Sequence, residues 1–406
     1  MKILFLAKYI DELGNSSYGG SQRTMHIYNA LCEYGDVEVL TLSLECYKST
    51  KKLDNLNHIE NWAVKNNSTL PVTKLPRLLP GKIASLVNYK NIVYEDYYTD
   101  ISLSKKIISF CKTRDYSLIV SRYINPLFYL DLNSKNFSCP IFLDLDDDPV
   151  EFASNSIKQL KSTKDKLLEH TKKYELKKIV KNRLSIIDHV WYTKDQDEKR
   201  YSSICKSSSI LQNIPNWKNI IQYDLNLDSE VILFVGRLAW GPNKRGLIRF
   251  IDENWERIIS IYPKAFLKIV GVGLNDEEVK YLHTFKNVKY EGFVEDLKKC
   301  YEECLFSISP IYEGAGTKIK VLESLAFGRT CVVSDHTYEG LFPIFKSEEN
   351  ILVETKEAAF SEQCLKLLKN KEQAQKLANS GFSIVKENFS IDSFKDKVKE
   401  SLSSVI

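Results

Sequence analysis

The 406-residue sequence predicts an α/β protein of two doubly wound, Rossmann-like domains facing each other across a cleft. Apolar strand-like runs alternate with helical stretches from the second residue onward, the pattern of parallel sheets built from strand-helix-strand units. The alternation lapses between Trp217 and Asp228 and restarts at Val231, which marks a hinge between two domains. A hydrophobic fraction of 43% over this length supplies two cores.

Residues 2–7 (K-I-L-F-L-A) form the opening strand, an apolar run suited to a sheet covered on both faces. A loop carrying Gly14, Gly19 and Gly20 follows, and Ser21 opens a helix that ends before Gly35. Further strands are expected at 37–42, 118–121, 141–145 and 189–193, the last two separated by a long Lys-rich helical stretch. Past the hinge, strands are expected at 231–235, 266–270, 288–290, 305–308, 330–334 and 351–353, alternating with helices, and helices continue from Lys356. The predicted domains are 1–216 and 230–385, joined by a hinge at 217–229.

The most informative stretch is 310–328, P-I-Y-E-G-A-G-T-K-I-K-V-L-E-S-L-A-F-G. It joins an apolar strand to an amphipathic helix through Gly314 and Gly316, which let the main chain bend and a ligand approach it. The first helical amides, near Thr317 and Lys318, lack intrahelical partners and sit at the positive end of the helix dipole, so they suit a phosphate. Lys318 and Lys320 add full charge there. Glu323 lies too deep in the helix to cap it and is suited to accept hydrogen bonds from a vicinal diol such as ribose.

This segment resembles the donor-binding loop of retaining glycosyltransferases of family 4, which have the two-domain GT-B fold. Glu323 matches the second Glu of the family's pattern of two glutamates separated by seven residues, and T-C-V-V-S at 330–334 matches the following strand. Ala315 stands in place of the first Glu, with Glu313 two residues earlier. V-I-L-F-V-G-R-L at 231–238 resembles the first strand of the family's C-terminal domain, which makes Arg237 the match to its phosphate-binding Arg. Arg245, before Gly246, corresponds to the family's Lys across an insertion around Gly241, Pro242 and Asn243. Gly292, Phe293 and Val294 resemble the loop that meets the nucleobase through backbone groups, and N-I-P-N at 213–216 resembles the turn closing the N-terminal domain. Gly19 and Gly20 match the Gly-rich loop that approaches the donor phosphates and sugar. Asp146, followed by Asp147, stands where many members carry a His near the sugar. The resemblance also implies an acceptor-side N-terminal domain and a last helix, 386–406, that crosses back onto it.

Other classes are disfavoured by what the sequence carries. A net charge of +4 and a pI near 8.3 argue against nucleic-acid binding through bulk charge. Nine cysteines without regular spacing suit a reducing compartment, and Cys300 and Cys304 share a helix face with no second pair to complete a zinc set. The histidines are scattered, and no G-x-G-x-x-G follows the first strand, against a dehydrogenase. The opening apolar run is too short for a signal sequence, and no segment reaches the roughly 20 apolar residues of a membrane span, so a cytoplasmic location is expected. The sequons at Asn67 and Asn136 are read as chance matches in that setting. L-D-L-D-D-D-P at 143–149 is tempting as a metal site, but the fold resemblance assigns diphosphate neutralisation to helix termini and basic side chains. No metal is therefore expected, and Asp146 or Asp147 is read as lining the sugar or acceptor side. The basic stretch 158–183, with leucines between its lysines, suits either a solvated face or peripheral contact with an anionic membrane.

The expectation is retaining glycosyl transfer from a nucleoside-diphosphate sugar to a hydroxyl acceptor (glycan, lipid-linked or protein) without a cofactor, in glycan or surface-polysaccharide synthesis. The catalytic candidates are Glu313, Asp146 and Arg237. The donor-binding candidates are Gly19, Gly20, Arg237, Arg245, Phe293, Val294, Gly316, Thr317, Lys318, Lys320 and Glu323. The missing first Glu motivates the alternative, a GT-B protein without catalysis that partners an active transferase.

Overall fold

The computed structural model describes residues 1–8, 19–44, 58–64, 101–128, 137, 139–146, 148–160, 162–215, 222–313, 319–356 and 359–405. The expectations for Gly14, Asp147, Gly316, Thr317, Lys318 and both sequons lie outside these residues. The chain divides into two compact units, Met1–Gln212 with Phe394–Ile406, and Asn213–Ser393.

Unit 1 is built on β1 (Lys2–Ala7), β2 (Asp36–Leu44), β3 (His58–Val64), β4 (Leu118–Arg122), β5 (Ile141–Leu145), β6 (His189–Tyr192) and β7 (Ser208–Ile210). The strands pair in parallel in the order β3-β2-β1-β4-β5-β6-β7. The inner strands are the continuous apolar runs that both-face burial demands, and Leu4, Leu6, Ile119, Leu143 and Val190 are fully buried. The two outermost strands, β3 (H-I-E-N-W-A-V) and β7 (S-S-I), were not expected from sequence, because neither is a continuous apolar run. Helices α1 (Gly19–Cys32), α2 (Ile101–Arg114), α3 (Asn125–Phe128), α4 (Pro149–Gln159), α5 (Thr163–Leu184) and α6 (Asp195–Tyr201) connect them. The Lys-rich stretch is thus two helices. Asp148 caps α4 by accepting from the Val150 amide at 2.8 Å, with Pro149 in its first turn, and Ser162 caps α5.

Unit 2 contains β8 (Val231–Val235), β9 (Phe266–Val270), β10 (Val288–Gly292), β11 (Phe306–Ser309), β12 (Cys331–Val333) and β13 (Leu352–Val353), again parallel, in the order β10-β9-β8-β11-β12-β13. Its helices are α7 (Gly241–Phe250), continued through a π-helical turn (Ile251–Trp255) into α8 (Glu256–Ile261), then α9 (Asp276–Leu282), α10 (Lys298–Glu303), α11 (Ile319–Ala326), α12 (Asp335–Glu339), α13 (Phe360–Lys369) and α14 (Lys371–Asn388). Cys300 and Cys304 are both buried, Cys304 just past the end of α10. The final helix, α15 (Ile391–Val405), belongs to unit 1 from Phe394 on. There the Trp191 indole donates to Ser401 Oγ at 3.0 Å, and the Phe394 ring lies 5.9 Å from that of His26.

In each sheet the strand order reverses once, between β1 and β4 and between β8 and β11. Ligands of open α/β sheets bind outside the carboxyl ends of the strands at such a switch point.

Candidate functional site

At the switch point of unit 2, the loops leaving β8 and β9 lie against each other through their main chains. The Gly236 amide donates to Val270 O at 3.0 Å, the Leu238 and Ala239 amides donate to Val272 O at 2.7 and 3.0 Å, and the Gly271 amide reaches Gly292 O at 2.8 Å. Gly271 has φ +140°, and a Cβ on it would lie 1.9 Å from Gly236 O; one on Gly273 (φ +115°) would lie 2.0 Å from the Ala239 amide nitrogen. Only glycine fits either place. This pair is not among the sequence-based candidates, although two glycines one residue apart directly after a strand are the local signal.

Helix α11 brings a cation to the same place. Lys320 Nζ donates to Asn243 Oδ1 and lies 5.3 Å from the centre of the Phe234 ring. Asn243 Nδ2 donates to Arg237 O at 2.9 Å, and a Cβ on Gly236 would sit 3.1 Å from Lys320 Nζ. Lys320, Gly236 and the Arg237 backbone therefore form one cluster around the buried Asn243, while the Arg237 side chain is exposed. Asn243 was missed as a site residue; its signal is a polar side chain in the first turn of a helix, facing inward. One turn along α11 from Lys320, Glu323 is half-buried and accepts from Tyr301 Oη at 3.3 Å. Burial lifts its carboxyl to about 7, against the pull of the Tyr301 hydrogen bond and the Lys320 charge.

Arg245 and Glu313 pair with each other. Gly246 makes this geometry available, because α7 packs so closely on the segment after β11 that a Cβ there would lie 2.0 Å from Pro310 O. After β10, Gly292 has φ +69° with open space above it, Phe293 is 71% exposed, and Val294 turns inward onto the cluster of Leu233, Val270 and Tyr301.

In unit 1, Arg122 at the end of β4 gathers two of the expected residues. Its Nη2 lies 3.4 Å from Gly20 O and 2.8 Å from Asp146 Oδ2, and its Nη1 lies 2.7 Å from Asp144 Oδ2. Arg23, on α1, also pairs with Asp144. Arg23, Arg122 and Asp144 are fully buried or nearly so. The carboxylate run is thereby divided: Asp144 and Asp146 engage arginines, and Asp148 caps α4 and pairs with Arg200. Arg122 is not among the sequence-based candidates; a charged residue ending an apolar strand is its sign in the sequence. Among the described residues no group of His, Cys, Asp or Glu is arranged to hold a metal ion.

Residues 229–370 match the family model described as "Glycosyl transferases group 1", which lies within unit 2. An uncharacterised 44.6 kDa protein in the cps region of Klebsiella pneumoniae is 26% identical over 209 residues, 49% of this chain and 52% of that protein. The match thus spans about half of that relative's length. Sucrose-phosphate synthase from Thermosynechococcus elongatus superposes with a TM-score of 0.66 at 16% identity, covering 99% of this chain and 98% of that one. HepE from Anabaena in complex with UDP and glucose gives 0.61 at 16%, covering 100% of both chains. A trehalose-6-phosphate protein of E. coli bound with UDP-2-fluoro glucose gives 0.65 at 12%, also covering 100% of both. At these identities the structures speak for the fold, which is GT-B: two Rossmann-like domains on parallel sheets. The match to the glycosyl transferase group 1 model is confined to residues 229–370 of unit 2.

Proposed function

We propose that this protein transfers a glycosyl group, with retention at the anomeric carbon, from a nucleoside-diphosphate sugar to a hydroxyl acceptor in glycan or surface-polysaccharide synthesis. The observation that carries the reading is the face of α11 at the switch point of unit 2. It presents Lys320 beside Gly236 and the Arg237 backbone, and Glu323 one turn on, a cation and a carboxylate on one helix face. In this reading Glu323 takes the ribose. Arg237, Lys320 or Lys318, Arg245 and the amides around Gly316 and Thr317 take the diphosphate, the backbone at Phe293 and Val294 meets the base, and Gly19 and Gly20 approach the sugar. The UDP-containing complexes of HepE and of the E. coli protein support a nucleotide-sugar donor.

In the reaction the bond from the anomeric carbon to the leaving phosphate oxygen breaks, and a bond to the acceptor oxygen forms on the same face. The acceptor proton passes to the departing phosphate, so the step needs neither a metal nor a separate protein base. Negative charge grows on the β-phosphate, and fixed cations and amides there stabilise the transition state more than the ground state. Glu323→Ala and Arg237→Ala are each expected to cost on the order of 2–4 kcal/mol of transition-state stabilisation. The first measurement is a thermal-shift titration with UDP, GDP, ADP and CMP. One nucleotide should stabilise the parent and not Glu323→Ala, by about 2.7 kcal/mol at 100 times its Kd.

A second reading, a GT-B protein that binds without catalysis and partners an active transferase, draws on Ala315 at the family's first Glu and on Glu313 being engaged with Arg245. Turnover of a nucleotide sugar by the purified chain, abolished in Glu323→Ala, decides against it.

The proposal includes work at the cytoplasmic membrane face through residues 158–183. Leu167 and Tyr174 are each 70% exposed on α5, with Lys177 and Lys178 exposed beside them. No helix among the described residues is long and apolar enough to cross a membrane. Changing Lys173, Lys177, Lys178 and Lys181 to Glu should abolish binding to anionic liposomes in a flotation assay; undiminished binding by that variant rejects the contact.

A further inference from the structure

Glu323 has an unusually constructed support. Tyr301, on α10, is fully buried, and its hydroxyl donates to Glu323 Oε2 at 3.3 Å. A phenol buried in that place needs an acceptor, and the carboxylate supplies it. The Tyr301 ring stacks on Phe327 at 4.7 Å with 11° between planes, and Phe327 stacks on Tyr223 at 6.1 Å with 13°. Arg329, also fully buried, ties the two ends of this stack together. Its Nε donates to Tyr301 O at 2.7 Å and Cys304 O at 3.0 Å, its Nη1 to Tyr223 O at 2.8 Å and Gly328 O at 2.9 Å, and its Nη2 to Asp224 O at 3.0 Å. The planar guanidinium meets these carbonyls in a fixed fork that a lysine cannot reproduce.

We propose that Tyr301 is a positioning residue of the donor site, holding the Glu323 carboxylate in the direction that meets the ribose diol, with the Arg329-clamped ring stack keeping the phenol in place. This rests on the reading of Glu323 as the diol acceptor. With one acceptor site of Oε2 occupied by Tyr301, the carboxylate plane is held and a diol meets its remaining acceptor sites. Among the described residues, the charged and hydrogen-bonding groups that act on Glu323 are Tyr301 from α10 and Lys320 from its own helix, and both favour its ionised form against burial. Cys304 and Cys331 also interact with Tyr301. Removing the hydroxyl therefore moves the carboxyl titration upward.

Tyr301→Phe keeps the stacked ring and removes only the hydroxyl. Two readouts are needed. The first is a carbon-13 titration of the Glu323 carboxyl without ligand, expected to move up by roughly half a unit or more in the variant. The second is affinity for UDP, GDP and ADP and for their 2′,3′-dideoxy counterparts. The ribonucleotide that binds the parent should lose about tenfold in Tyr301→Phe, with partial recovery at higher pH, while its dideoxy counterpart should bind both proteins equally. An unmoved titration, or equal losses with ribo- and dideoxynucleotides, overturns the proposal. A parent that binds none of the nucleotides overturns the donor-site reading, and the ligand-free titration then decides by itself whether Tyr301 controls Glu323. Tyr301→Leu, which also breaks the stack, should lower the melting temperature where Tyr301→Phe does not.

Discussion

In its proposed role Glu323 is held under opposing demands: its surroundings disfavour charge, while a diol would be bound best by the ionised carboxylate. Its folded-state carboxyl titrates near 7 against an ordinary value of 4.5. A carboxyl raised on folding contributes stability that is fully present below 4.5 and is lost as pH rises through about 7. Glu323→Gln should therefore gain roughly 1–3 kcal/mol relative to the parent between pH 5 and pH 8, read by urea denaturation at the two values. Parallel pH dependence in both proteins would show that the carboxyl is not perturbed. As candidates, Lys320 and Glu323 could be proposed from the sequence because one helical turn separates them and the glycine loop precedes them. Tyr301 and Arg329 were not, because their partners come from segments far apart in the chain and, for Arg329, are backbone carbonyls that any sequence supplies.

At the scale of elements, the inner strands of both sheets were readable from apolar runs, and the edge strands β3 and β7 were not. What sequence could not convey is how near two elements approach. Gly246 on α7 and Gly271 after β9 each touch another main chain at a distance no side chain tolerates. Gly246→Ala should push α7 away from Pro310, separate Arg245 from Glu313 and cost about 1–3 kcal/mol, the usual penalty of overpacking. Thermal unfolding and nucleotide titration of that variant should decline together. Full stability would mean that α7 has room the structure does not give it. In the carboxylate run 143–149, composition does not convey which partners each carboxylate meets: Asp144 and Asp146 meet arginines from α1 and β4, and Asp148 caps a helix.

At the scale of the whole molecule, unit 1 is discontinuous, since Phe394–Ile406 completes it after the entire second unit. Trp191, Ser209 and Gln212 all have hydrogen-bond partners on α15. A chain ending at Ser393 should lose those contacts and show an earlier unfolding transition assigned to unit 1, measured by calorimetry, with unit 2 little changed. The discontinuity also sets an order of events during synthesis. A ribosome adding ~5–20 residues per second spends roughly 10–40 s making unit 2, and throughout that interval unit 1 waits without its last segment. The Trp191 face is then open to chaperones, and an early-formed unit 2 is finished before the unit whose first strand was translated at the start.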